Sequence, residues 1–199
     1  MKLKLTKVGK IVLVLIILFI SLLVFLWWNN RKDNISVHKM ESNEFFDIKI
    51  DYEKTGIKDV DEKISNFVSS KRKQFIEIAD KSGGVSSSKY NLIINTNTSN
   101  YNDVISVHAL SYAYTGGAHY TREEESFVYD QKKKKYLTFL DILVDEDFNK
   151  ISSLVLEAIY DYANERKIVL NEEWVSEGTN YSDSNYQHFS LNEDGLNIT

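Results

Sequence analysis

Cysteine and proline are both missing from the 199 residues of this chain. The first absence excludes disulfides, thiolate zinc sites and a lipidated N-terminal cysteine, so a domain held outside the cytoplasm must rely on packing alone. The second excludes a stiff polyproline stalk; an average chain of this length carries about ten prolines. Acids are missing from the first 32 positions: Lys2, Lys4, Lys7, Lys10, Arg31 and Lys32 all precede Asp33. Setting those six aside leaves 18 basic against 29 acidic residues, a formal charge of −11. Such an acidic chain lacks the cations that phosphate contacts need, which argues against a nucleic-acid partner, and it steers cationic partners toward itself. What is present is a globule's composition: 43% hydrophobic residues, with 12 Tyr, 10 Phe and 3 Trp. Beyond the first thirty or so positions there is room for one self-sufficient core of about 165 residues.

Ile11 to Trp28 runs for 18 residues without a charge and with one hydroxyl, Ser21. As a helix it would extend roughly 27 Å, close to the hydrocarbon thickness of a bilayer. Trp27 and Trp28 sit at its far end, where amphipathic rings favour the interface. Four lysines precede the run, so the positive-inside rule leaves residues 1–10 as a short cytoplasmic tail and the rest outside the cell. A cleaved signal peptide is the competing reading. Against it, the apolar run is longer than usual, and Trp-Trp-Asn-Asn replaces a small-residue cleavage site. Residues 29–42 are polar and aperiodic and read as a tether, leaving residues 43–199 as an extracytoplasmic domain.

Within that domain, Phe45–Tyr52 alternates as a half-buried strand. Asp59 and Glu62 have capping-box spacing. Val60, Ile64, Phe67, Phe75 and Ile78 then recur at helical spacing, with Val68 and Ala79 widening the stripe, up to Ser82-Gly83-Gly84. Tyr90–Asn95 and Val104–Tyr114 read as strands separated by an Asn/Thr/Ser-rich turn, followed by a short strand over Glu125–Tyr129 and a lysine-rich hairpin turn over residues 131–135. Phe148, Ile151, Val155, Ala158, Ile159 and Tyr162 mark a second amphipathic helix, preceded by Asp145, Glu146 and Asp147, which suit its N-terminal dipole. Phe189–Leu191 and Leu196–Ile198 flank an Asp-Gly turn. The expected class is α+β: an antiparallel sheet packed by two amphipathic helices, without a βαβ rhythm.

The most informative segment is Ser111-Tyr112-Ala113-Tyr114-Thr115-Gly116-Gly117-Ala118-His119. Gly116-Gly117 permits positive φ or close backbone approach, and Tyr112 and Tyr114 share one strand face with His108 and Leu110. The segment resembles the Tyr-Thr-Gly-Gly-Ala-His signature of an extracytoplasmic domain shared by RsiV-type anti-sigma factors, which bind lysozyme, and PdaC-type peptidoglycan deacetylases. Phe127-x-Tyr129-Asp130, then Lys135-x-Leu137-Thr138-x-x-Asp141-Ile142-Leu143, is similar to the family's strand and the passage before its second helix. The Phe189-x-Leu191 to Gly195-Leu196 ending fits as well, so the resemblance covers about residues 43–199. It implies ligand contact through Tyr112, Tyr114, Thr115, Gly116, Gly117, His119 and Tyr120. The plainer alternative is a structural turn at Gly116-Gly117 with His119 bonded to nearby backbone. The chain departs from the family in three ways: the ten-residue tail leaves no anti-sigma domain, no deacetylase module follows, and the family continues with further strand where this chain stops. The last point leaves a C-terminal truncation open.

Other chemistry finds little support. His108, His119 and Glu123–Glu125 have no HxxxH or HExxH spacing, and solvated acids account for the glutamates, so no metal or other cofactor is expected. Ser86-Ser87-Ser88 lacks a glycine elbow, and 29 acids make any carboxylate pair unremarkable as a glycosidase signal. The expected function is therefore non-enzymatic: a membrane-anchored binding domain of the bacterial envelope, for cell-wall glycan or a cationic secreted protein such as lysozyme. The competing expectations are a wall-glycan deacetylase or hydrolase, and an accessory subunit that docks another membrane protein.

Overall fold

In the computed structural model the described residues are 13, 16–25, 35–81, 89–143, 145–180 and 182–199. The chain divides into two compact units, Met1–Ile35 and Ser36–Thr199. In the first unit, residues 16–25 are helical with exposed side chains, and the Ser21 hydroxyl donates to the Leu18 carbonyl at 2.8 Å. Residues 1–10, and residues 11, 12, 14, 15 and 26–28 of the expected anchor, lie outside the described residues, as does 29–34 of the expected tether. Among the described residues no helix is long and apolar enough to cross a membrane.

The second unit is a mixed α+β fold. Its main sheet has six strands in the order β1 (Ser36–Ser42), β2 (Phe46–Glu53), β3 (Tyr90–Tyr101), β4 (Val104–Tyr114), β5 (Thr121–Asp130) and β6 (Lys135–Tyr136). Between β2 and β3 runs α1 (Lys58–Lys81), and those two strands are parallel, with Ile48 opposite Leu92 and Ile50 opposite Ile94. The expected all-antiparallel sheet is thus corrected by one βαβ crossover; a 24-residue helix returns the chain to the edge where it started, so the next strand runs the same way. The expected tether is corrected too: Ser36–Ser42 is a strand, paired antiparallel with β2 from Ser36–Glu53 to Ser42–Asp47.

Strand alternation puts Ile48, Ile50, Leu92, Ile94, Ile105, Val107, Ala109, Phe127 and Tyr129 on one face of the sheet, where α1 buries its expected stripe against them. Ile78, expected in that stripe, is 46% exposed. The expected cap at Asp59 is replaced: Asp61 reaches back, and its Oδ1 accepts from the Thr55 amide at 2.7 Å and the Thr55 hydroxyl at 2.9 Å. β3 and β5 both exceed their expected lengths. The Asn/Thr/Ser segment Thr96–Asn100 is strand, and the turn to β4 is only Asn102-Asp103, with Asn102 at φ 51°.

A second core covers part of the opposite face. It gathers Val128, Phe139, Phe148, Tyr186 and Phe189, with Val104 of β4 packed against them. The contributing elements include α2 (Asp145–Arg166) and the hairpin β7 (Phe189–Asn192)–β8 (Gly195–Ile198), while α3 (Glu172–Thr179) packs beside α2. Phe139 stacks on Tyr186 at 5.0 Å, and the Tyr186 hydroxyl donates to the Thr179 carbonyl at 2.8 Å. Helix α2 does not use its whole expected stripe. Ala158 and Tyr162 are exposed, Ala163 is buried, and the Arg166 guanidinium lies 3.8 Å from the Tyr162 ring centroid. Helix α3 was not expected at all. Its N-cap Asn171 accepts from the Trp174 amide at 3.2 Å, and Glu172 and Glu173 fill its first turn.

Candidate functional site

The signature residues lie at the free end of β4 and in the loop to β5, and strand geometry separates them into three places. Side chains alternate across a sheet, so Ser111, Ala113 and Thr115 face α1, while Tyr112 and Tyr114 face the other way. Thr115 lines a cavity of about 100 Å³ between α1 and the strand ends, together with Phe75, Leu92, Ser111, Ala113 and Thr121. One wall of that cavity is an ion pair, Lys71 Nζ to Glu123 Oε2 at 2.5 Å.

On the opposite face, Tyr112 lies in a cross-strand row between Ile93 and Arg122, one row along from Leu110. Ile93, Leu110 and Tyr112 are half-buried and belong to neither core. Tyr114 meets Tyr120 across the loop, with ring centroids 5.5 Å apart and planes tilted by 42°. Between them Gly116, Gly117, Ala118 and His119 are exposed. Gly116 has φ 89°, which a residue with a Cβ adopts only under strain. A Cβ on Gly117 would come no closer than 3.9 Å to the His119 carbonyl, so that glycine is not demanded by space. The His119 ring makes no hydrogen bond among the described residues, so the expected backbone contact is not formed.

The polar residues weighed as metal ligands are split by the same alternation. Glu123 pairs with Lys71 on the α1 side. Glu124 turns to the other face, where its Oε2 lies 3.0 Å from His108 Nε2 and 2.6 Å from Arg122 Nη2. A parallel arrangement at the sheet edge sets His38 Nδ1 2.6 Å from Asp51 Oδ1, with Lys49 Nζ 3.0 Å from the other oxygen. The His38 hydrogen bond, followed by that of Lys49, holds the Asp51 carboxyl below its usual range. Among the described residues no three histidine or acid side chains form a metal-binding group. The Asp51 cluster does not follow from a tether over residues 29–42, because the exposed side chains of β1 give only weak hydropathy alternation.

A larger cleft, of about 230 Å³, opens beside the start of α1. Both of its tyrosines donate to Asp59. Tyr136 donates to the Asp59 carbonyl at 2.8 Å, Tyr129 donates to Asp59 Oδ2 at 3.4 Å, and Lys63 Nζ sits 5.3 Å from the Tyr136 ring centroid. Burial, then the Asp59 charge, pushes the Tyr136 hydroxyl up to about 12, so it stays a protonated donor at neutral pH. The cavity beside Thr115 differs in its lining: the hydroxyls of Ser111, Thr115 and Thr121 stand among Phe75, Leu92 and Ala113, and Ser111 is 2% exposed.

Charge is segregated along the domain. From Asp145 to Thr199 the sequence holds 12 acidic and 3 basic residues, whereas from Ser36 to Val144 it holds 16 and 15. The acidic part also exposes Trp174 (75%), Val169 (96%) and Tyr162 (54%).

No family model matches the chain. It is similar to the peptidoglycan-N-acetylmuramic acid deacetylase PdaC of Bacillus subtilis, with 30% identity over 87 residues; the match takes in 44% of this chain and 18% of that protein. The chain therefore spans under a fifth of the curated relative's length. Among solved structures, a DUF3298 family protein from Pseudomonas aeruginosa PAO1 superposes with a TM-score of 0.54 at 14% identity, covering 82% of this chain and 79% of the other. A DUF3298 family member from Bacteroides fragilis gives 0.46 at 15% identity, covering 83% and 81%. The fold is thus that of a DUF3298-type domain, and the sequence likeness is to a peptidoglycan-related protein.

Proposed function

We propose that the chain is a membrane-anchored, extracytoplasmic binding domain of the bacterial envelope, and that its ligand is cell-wall glycan. The anchor is the apolar run Ile11–Trp28, with Lys2 to Lys10 keeping the N-terminus in the cytoplasm. The observation that carries the ligand assignment is the end of β4: an exposed loop flanked by the Tyr114–Tyr120 pair, with a small cavity behind Thr115. Aromatic faces suit the apolar faces of sugar rings, and exposed loops on a rigid sheet are where ligand contacts concentrate. The likeness to a peptidoglycan deacetylase supports the choice of wall glycan.

A second reading, a cationic secreted protein such as lysozyme, is favoured by one observation: the acidic segment 145–199 with its exposed Trp174 and Val169. The two ligands separate in one experiment. The full chain in detergent micelles is mixed with insoluble purified peptidoglycan, and separately with immobilised lysozyme, at 50 and 150 mM salt. Wall binding that persists at the higher salt and falls in Tyr112→Ala and Tyr120→Ala supports the glycan reading. Lysozyme binding that collapses with salt indicates charge steering. Binding to neither removes both assignments.

A further inference from the structure

We propose that the cavity beside Thr115 receives the acetamido group of an N-acetylated wall sugar, an inference that rests on the glycan reading above. Pockets that enclose a whole small ligand run to roughly 300–1,000 Å³. At about 100 Å³ this one has room for a substituent of a few heavy atoms while the ring stays outside.

The lining selects the substituent. Phe75, Leu92 and Ala113 supply apolar surface for a methyl group, and Ser111, Thr115 and Thr121 supply three hydroxyls. A hydroxyl both donates and accepts, so this set can serve an amide carbonyl and an amide N–H together. Ser111 is 2% exposed and faces this cavity, so its hydroxyl is one of the polar groups a substituent would meet. An ionic ligand is disfavoured, because the two charged groups of the lining, Lys71 and Glu123, already neutralise each other at 2.5 Å. A neutral group with a polar amide and a methyl tip matches what is left. Thr115 is also the first residue of the exposed loop, so a sugar whose acetamido arm enters here lies against Gly116–Tyr120.

The test uses the full chain in detergent micelles and two forms of one probe: purified peptidoglycan, native and chemically de-N-acetylated. De-N-acetylation frees cationic amines, so attraction to an acidic domain predicts tighter binding to the treated wall. The cavity predicts the reverse, at least tenfold weaker binding. Ser111→Ala and Ala113→Leu, which remove the hydroxyl and fill the space, should each weaken binding to native wall about tenfold while leaving the melting temperature near that of the parent. Ser111→Ala decides the matter if Ala113→Leu does not fold. Equal or tighter binding to de-N-acetylated wall, or full binding by Ser111→Ala, overturns the acetamido assignment and leaves the glycan reading standing. Failure of the parent chain to bind native wall overturns both.

Discussion

Arg72 of α1 grips Glu41 of β1 through two parallel bonds, Nε to Oε1 at 2.8 Å and Nη2 to Oε2 at 2.5 Å. The Arg72 hydrogen bond is also the main reason the Glu41 carboxyl sits below its ordinary value. Most side chains of β1 are exposed, and besides its backbone ladder with β2 it is tied through His38–Asp51 and Ser42–Asp47 to β2 itself, so Arg72 is its side-chain link to α1. Both partners are over a third exposed, which limits the pair, bidentate as it is, to about 1 kcal/mol or less. A double-mutant cycle on Arg72→Ala and Glu41→Ala, read by urea unfolding, should return a coupling of about 0.5–1 kcal/mol. Because the folded carboxyl titrates low, that coupling is present above the usual 4.5 and fades as pH falls through the folded value. A coupling that does not weaken in acid would show the pair is not the link.

The Ser106 hydroxyl is the equivalent tie for the other layer. It accepts from the Leu191 amide at 3.0 Å and lies 1% exposed under the β7–β8 hairpin. Ser106→Ala leaves the part-buried Leu191 N–H without this acceptor, at a cost of about 1–3 kcal/mol. Hydrogen exchange should show the Leu191 amide losing protection by one to two orders of magnitude while the amides of Ile94 and Val107 stay slow. Uniform loss across the sheet would mean the hairpin does not open separately.

Core burial sets a larger scale. Ile94 is fully buried between β3 and α1, and Ile94→Ala should cost about 2–5 kcal/mol. At this domain size that lowers Tm by roughly 5–15 °C. Leu154→Ala, at a position 53% exposed, should change it by no more than a degree or two.

The readable and unreadable parts of this fold divide along burial. Val60, Ile64, Phe67 and Phe75 announce α1 because one helix face meets a sheet and the other meets water. β1 gives no such signal: Ser-Val-His-Lys-Met-Glu-Ser forms an edge strand through backbone pairing, which leaves only weak hydropathy alternation. The parallel β2–β3 pair was equally hidden, since strand direction is decided by where α1 returns the chain and by nothing within either strand. Helix α3 carried a readable Asn171 cap followed by two acids, but with two turns and few inward residues its periodicity is too short to register. At the site, the resemblance puts the expected ligand contacts at the end of β4 and in the loop to β5. Alternation already sets Tyr112 and Tyr114 on one face; what it does not reveal is that α1 covers the other face, where Thr115 lines a cavity with Phe75.

Asp141 gives an acid-range prediction from outside the cores. The Lys135 ammonium, then the Thr138 amide, draws its carboxyl down to about 2. It accepts from Lys135 Nζ at 2.6 Å and from the Thr138 amide at 2.9 Å, closing the turn that leads into Phe139 of the second core. The folded pKa is depressed, so its stabilisation is complete above the usual 3.8 and is lost as pH falls toward 2. Asp141→Asn should therefore lower stability at pH 6 and matter progressively less below pH 4, so that parent and variant unfolding curves converge near pH 2. Curves that stay parallel over that range would show that the charge of Asp141 contributes nothing.

The two glycines of the loop make opposite predictions, and the contrast isolates backbone conformation from space. Gly116 is at φ 89°, so Gly116→Ala should cost about 1–3 kcal/mol of strain or force the loop into another path. Gly117 has no such angle, and a Cβ there meets nothing nearer than 3.9 Å, so Gly117→Ala should be close to neutral in Tm. If the loop is the ligand contact, Gly116→Ala also loses wall binding, because Tyr120 is placed against Tyr114 by the path the chain takes through Gly116. Equal Tm for the two variants would mean that the positive φ is not fixed in solution. Equal wall binding despite a lower Tm for Gly116→Ala would remove the loop from the contact surface.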